Sequence, residues 1–244
     1  MSKDKSDIVS PVETKQAATP SARAEIDAFL AQVKSLPQNA ASGPHGRLVF
    51  ALDATMSRQP TWDTACVLQA EMFQEAGKIG GLDVQLVYYR GLAECRASQW
   101  VSQPERLAAL MQKIDCRGGH SQIEKILRHV RRENESRKVQ AAVFVGDAME
   151  EPVDDLCAAA GELGILGVPV FMFQEGSEPV AERAFREIAR LSRGAYCRFA
   201  PGAAHELAEL LRAVAAYAAG GRKALENLSA QRHSGAQLLL RQMG

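Results

Sequence analysis

Residues 48–57 read LVFALDATMS. An apolar strand, Leu48 to Leu52, runs directly into Asp53-x-Thr55-x-Ser57. A carboxylate and two hydroxyls thus sit at alternate positions of the turn that leaves the strand. Oxygen donors gathered in this way suit a hard divalent cation. Two later segments can complete the set. CRGGHSQIEKIL (116–127) brings a hydroxyl, Ser121, shortly after two glycines that permit tight turns. AAVFVGDAME (141–150) brings a carboxylate, Asp147, at the end of a second buried strand. Asp, Thr and Ser are also ordinary turn and cap residues, so each fragment alone says little. Their order, and the placement of each at a strand end or in a loop, favour a shared metal centre of Asp53, Thr55, Ser57, Ser121 and Asp147. All five donors are oxygen and no ligand-spaced Cys or His pair accompanies them, which predicts Mg2+ or Mn2+.

Working outward, strands and helices alternate. The spacing predicts helix at about 60–78, strand at 84–90, a hairpin partner within ECRASQW (94–100), and helices at 104–114 and about 122–134. Strand then follows at 141–146, helix at 153–164, strand at 169–174, helix at 179–192, strand at 195–199 and helix at 204–219. The runs VFAL, AAVFV and PVFMF are apolar throughout, as expected of parallel strands buried on both faces. The predicted class is α/β: a doubly wound, mostly parallel sheet with one antiparallel edge strand and helices on both faces. Ligands of such sheets lie beyond the carboxyl ends of the strands, where all three donor segments fall.

Around this domain, expected over 46–220, lie a polar tail at 1–20, an amphipathic helix and Pro/Gly-rich linker at 21–45, and a helical tail at 221–244. The tail carries Leu238, Leu239 and Leu240, which predicts that it packs back on the domain or meets a partner.

The chain has 244 residues, 46% of them hydrophobic, and 29 basic residues balance 29 acidic ones. No basic footprint for nucleic acid is present. The charge-rich run RHVRRENESRK (128–138) reads as a solvated helix end. The polar N-terminus has no signal-peptide core, and the longest apolar stretch, LGILGVPVFMF (163–173), is too short for a membrane span; both predict a soluble, cytoplasmic protein. Five scattered cysteines suit a reducing compartment rather than a disulfide framework. Cys116 and His120 have no second pair with which to hold zinc. Arg58 and His120 are expected to border the metal, and Trp62 and the Tyr88–Tyr89 pair to serve packing.

The three motifs together resemble the von Willebrand factor type A domain, in the form found in intracellular bacterial proteins. Its metal-ion-dependent adhesion site uses Asp-x-Ser-x-Ser, a Thr in a glycine-rich second loop, and an Asp after the next core strand. Here Thr55 replaces a Ser, Ser121 replaces the Thr, and Gly146 and Ala148 flank Asp147 where Ser or Thr and then Gly are common. Every replacement at a donor position keeps its oxygen. The resemblance implies that hydroxyls hold the cation directly while carboxylates act mostly through water. The under-neutralised ion then accepts an Asp or Glu from a protein partner; in intracellular relatives that partner is often a ring-forming AAA+ ATPase or another complex subunit.

The expected function is therefore a metal-dependent protein-binding module and not an enzyme. Two alternatives are a Mg-dependent phosphoryl-transfer hydrolase and a metal-independent scaffold of the same fold. Against the hydrolase, Thr55 stands where a haloacid-dehalogenase-like enzyme needs a second Asp. A phosphate-binding loop fails because Ile79 follows Gly77-Lys78 and Met72 replaces the first Gly. No Ser–His–Asp or Cys–His set is visible in the sequence.

Overall fold

The computed structural model describes residues 45–61, 81–201 and 203–243. The expected N-terminal tail, helix and linker, most of the helix at 60–78, Trp62 and Cys66 lie outside these residues. Six strands form one sheet: β1 (Gly46–Asp53), β2 (Leu82–Arg90), β3 (Glu94–Ala97), β4 (Ala141–Gly146), β5 (Val170–Glu175) and β6 (Tyr196–Phe199), in the order β3-β2-β1-β4-β5-β6. β1 pairs in parallel with both β2 and β4, and β5 and β6 continue in parallel. β3 is antiparallel to β2, as the hairpin reading expects.

The central strands are buried from end to end because both faces are covered. Leu48, Phe50 and Leu52 enter one core, together with Val143, Val145, Phe171 and Phe173. Val49 and Ala51 enter the other, with Phe144 and Met172. The first core is closed by α1 (Pro104–Met111), α5 (Ala204–Ala230) and α6 (Ser234–Gln242). The second is closed by α2 (Ile123–Ser136), α3 (Val153–Ile165) and α4 (Pro179–Leu191). Tyr88 packs on the first core and Tyr89 lies in the second, the opposed placement that strand alternation requires.

One helix overruns its expected end. Gly220-Gly221 reads as a terminator, yet helix resumes after a single break at Gly221 (φ 67°, ψ −163°). Leu225 and Leu228 then bury against the first core, so packing outweighs the local preference to stop. α6 folds back with Leu239 buried while Leu238 stays exposed. The Gln242 side chain accepts the Tyr196 N–H (2.9 Å) and donates to the Tyr196 carbonyl (2.7 Å). It thereby stands in for a neighbouring strand on the open side of β6.

Candidate functional site

Parallel pairing sets Leu52 beside Val145, so Asp53 and Gly146 follow side by side and Asp147 comes next. The two strands therefore deliver both predicted carboxylates to one rim. Asp53 is 2% exposed. Its Oδ1 accepts the Thr55 N–H at 2.7 Å, which curls the turn. The Thr55 and Ser57 hydroxyls lie 3.1 Å apart, with Thr55 buried and Ser57 exposed on a short 3-10 turn at Met56–Arg58. Asp147 Oδ1 is buried and has no hydrogen-bond partner among the described residues.

Gly146 has a steric cause. A Cβ there would meet the Phe144 ring at 2.7 Å and approach the Asp53 Cβ to 3.4 Å. The Ser or Thr common at this position in the resembled family has no room in this packing.

Ser121 reaches the rim by another route. Its N–H donates to Glu150 Oε2 (2.9 Å) and its Oγ accepts the Glu150 N–H (3.0 Å). This reciprocal pair fastens the glycine-rich loop to the turn that carries Asp147. One position on, Glu151 accepts the Ile123 and Glu124 N–H groups at the start of α2, where free amides and the helix dipole favour a carboxylate. The loop is also stitched to the ends of β1 and β2: Arg117 N–H donates to the Ala54 carbonyl, and His120 N–H to that of Gly91. Of the two glycines, Gly119 is the one under steric demand, because a Cβ there would lie 2.0 Å from the Gly91 carbonyl oxygen. Ser121 retains a hydroxyl proton and a second lone pair beyond its Glu150 contact.

Arg58, expected to border the metal, is also enclosed by protein. It is 1% exposed and paired with Glu175, the last residue of β5. Thr61 Oγ1 also donates to Glu175 (2.9 Å). Burial lowers the Arg58 pKa, while the charges of Asp147 and Asp53 act to raise it. The Tyr89 hydroxyl is likewise buried; burial, and then the neighbouring Asp53 charge, hold its pKa well above the ordinary phenol value. Burial pushes the Asp53 carboxyl up to about 6, with the Asp147 charge adding to the rise and hydrogen bonds from Thr55 opposing it. Glu175 is the neighbour sequence reasoning missed, although it closes an apolar strand as Asp53 and Asp147 do; the pairing of Arg58 with it, and the place of the Tyr89 hydroxyl beside Asp53, left no local signal.

The rim thus offers two hydroxyls 3.1 Å apart, an unpartnered carboxylate oxygen and a second buried carboxylate. That donor chemistry fits a hard cation. Glu175 is ion-paired with the Arg58 guanidinium, and the charges of Asp147 and Asp53 also act on that guanidinium.

No family model matches the sequence, and no curated protein matches it. Solved structures do match. A von Willebrand factor type A protein from Catenulispora acidiphila aligns with TM-score 0.56 and 17% identity over 72% of this chain and 43% of its own. An aerotolerance-related membrane protein from Bacteroides fragilis aligns with TM-score 0.53 and 17% identity over 68% of this chain and 96% of its own. The VWA domain of SpRpn10 aligns with TM-score 0.53 and 12% identity over 65% of this chain and 89% of its own. The chain spans less than half of the Catenulispora protein. Among the described residues, no helix is long and apolar enough to cross a membrane. Strand order, the antiparallel edge and these alignments agree that the chain has the fold of a von Willebrand factor type A domain.

Proposed function

We propose that this protein is a divalent-cation-dependent docking module. Asp53, Thr55, Ser57, Ser121 and Asp147 would hold Mg2+ or Mn2+, and the ion would accept an Asp or Glu of a protein partner. The observation that carries this reading is the meeting on one rim of two carboxylates and two hydroxyls 3.1 Å apart. Asp53 is 2% exposed, and Asp147 Oδ1 is buried with no hydrogen-bond partner among the described residues; buried carboxylates without compensating charge are costly. A bound divalent cation would supply charge to offset these carboxylates, with Asp53 and Asp147 among the residues that would hold it. An AAA+ ATPase is one class of partner, presenting its acid from a loop, and a cytoplasmic setting suits such a pairing.

The test is a thermal melt of the full chain with Mg2+, Mn2+ and EDTA. Metal is expected to raise Tm, since a ligand that binds only the folded state stabilises it by mass action. Asp53→Ala is expected to remove that rise. A Tm indifferent to both metals in the unmodified protein would overturn the proposal.

One observation favours a second reading. Arg58 already places a fixed positive charge beside both aspartates, so a metal-independent scaffold could use it as its counter-ion. The same melt separates the two, because this reading expects no metal effect on Tm.

A further inference from the structure

Away from the rim, a groove of 280 Å3 runs between edge strand β3 and helix α2. Its lining includes Arg96, Lys125, Arg128, His129 and Arg132, and no acidic residue. Helical spacing explains the stripe: positions 125, 128, 129 and 132 recur at three- and four-residue intervals, so they share one face of α2. This is the charge-rich run that reads in sequence as a solvated helix end. The fold turns one side of it toward a sheet edge.

The cations are weakly engaged. Arg96 and Arg128 pair with exposed or half-buried neighbours, Glu94 and Glu124, contacts of the kind that contribute little. Lys125 donates to the Gln122 side chain and the Ala93 carbonyl. Arg132 has no ion pair among the described residues.

The backbone beside them has unpaired groups among the described residues. Ser98 N–H bonds inward to the Leu86 carbonyl, opposite which it lies by register. Inward and outward groups alternate along an antiparallel strand. Arg96 and Glu94 therefore face β2, while Cys95 and Ala97 direct N–H and C=O away from the sheet. Among the described residues nothing bonds these outward groups.

We propose that this groove binds an acidic, extended peptide segment that adds to β3 as a further strand. Its backbone would pair with Cys95 and Ala97. Asp or Glu at alternate positions would all point to one face and so meet Lys125, Arg128 and Arg132. Strand addition gives affinity through the main chain and selectivity through the alternate side chains. The site is separate from the rim and does not depend on the metal reading.

The experiment uses the full chain in EDTA and a short fluorescein-labelled peptide alternating Glu and Val, read by fluorescence anisotropy. Saturable binding is expected, absent for the Gln–Val counterpart and weakened roughly tenfold or more by Arg132→Glu or Arg128→Glu, as loss of complementary charge implies. Hydrogen exchange in the unmodified protein is expected to slow at the Cys95 and Ala97 amides when peptide is added. Ala97→Pro, which removes one outward N–H, is expected to weaken binding while circular dichroism shows the fold retained. The proposal is overturned by equal affinity for the Gln–Val peptide, by indifference to Arg132→Glu, or by unchanged exchange at Cys95 and Ala97. It is equally overturned if a single-stranded oligonucleotide or anionic vesicles displace the peptide at matched charge concentration, since the groove is then a general polyanion site.

Discussion

Arg58 is a charge enclosed by protein, and its neighbours define what it is worth. Replacing it with Ala would leave Glu175 without its guanidinium in a buried place. Breaking such a pair from one side costs about 3–5 kcal/mol, so urea denaturation of Arg58→Ala is expected to show a loss of that size. Arg58→Met, which keeps much of the volume, is expected to lose a similar amount, because charge rather than packing is at issue. His129 gives a second prediction at this scale. Burial lowers its pKa, opposed by the charge of Glu133 and assisted by that of Arg132, and its Nε2 meets Gln85 Oε1 at 2.8 Å. The unfolded chain therefore takes up this proton before the folded one does. The stability contributed by neutral His129 is full above an unfolded pKa of about 6.5 and is lost as pH falls through the lower folded value. His129→Gln is expected to flatten that part of a stability–pH curve measured by urea titration. The rim placement of the aspartates was legible in sequence because a carboxylate at the end of a buried apolar run has few other places to be. The burial of Arg58 was not, since it depends on Glu175, which only the folded sheet brings near.

At the scale of elements, two loops and one helix start behave as a unit. Glu151 satisfies two amides at the beginning of α2 while Glu150 and Ser121 exchange hydrogen bonds. Glu151→Ala is expected to cost about 1 kcal/mol, the usual loss when a helix start loses its side-chain acceptor, read as a lowered midpoint in chemical denaturation. Gly119→Ala is expected to cost about 1–3 kcal/mol, since its methyl group meets backbone that has little room to yield. It is also expected to shrink any metal-induced rise in Tm, because the same loop carries Ser121. Strand β4 was read from sequence to the residue, since its apolar run is bounded by polar residues on both sides. The capping of α2 by Glu151 was hidden: a capping residue is sought just before its own helix, and here it comes from the turn after a different strand. The long α5 was hidden for a different reason, as Leu225 and Leu228 outweigh a glycine pair that reads locally as an end.

Across the whole molecule, the carboxyl-terminal segment completes one of the two cores. Deleting residues 232–243 would remove Leu239 and Ala236 from that core and withdraw Gln242 from Tyr196. Such a chain is expected to melt lower by circular dichroism. It is also expected to elute earlier than its mass requires in size-exclusion chromatography, because an uncovered apolar face and a freed strand edge both promote association.

The Gln242 amide also gives the sheet a direction. One margin is closed at Tyr196 by the chain's own carboxamide. The other, β3, borders a groove lined by Arg96, Lys125, Arg128 and Arg132, like charges that two copies would bring against each other. A lattice of stacked copies needs two compatible margins on each molecule, and among the described residues these two do not match. The polarity that sets copies apart favours, on the β3 side, a strand whose charge is opposite to that of the groove.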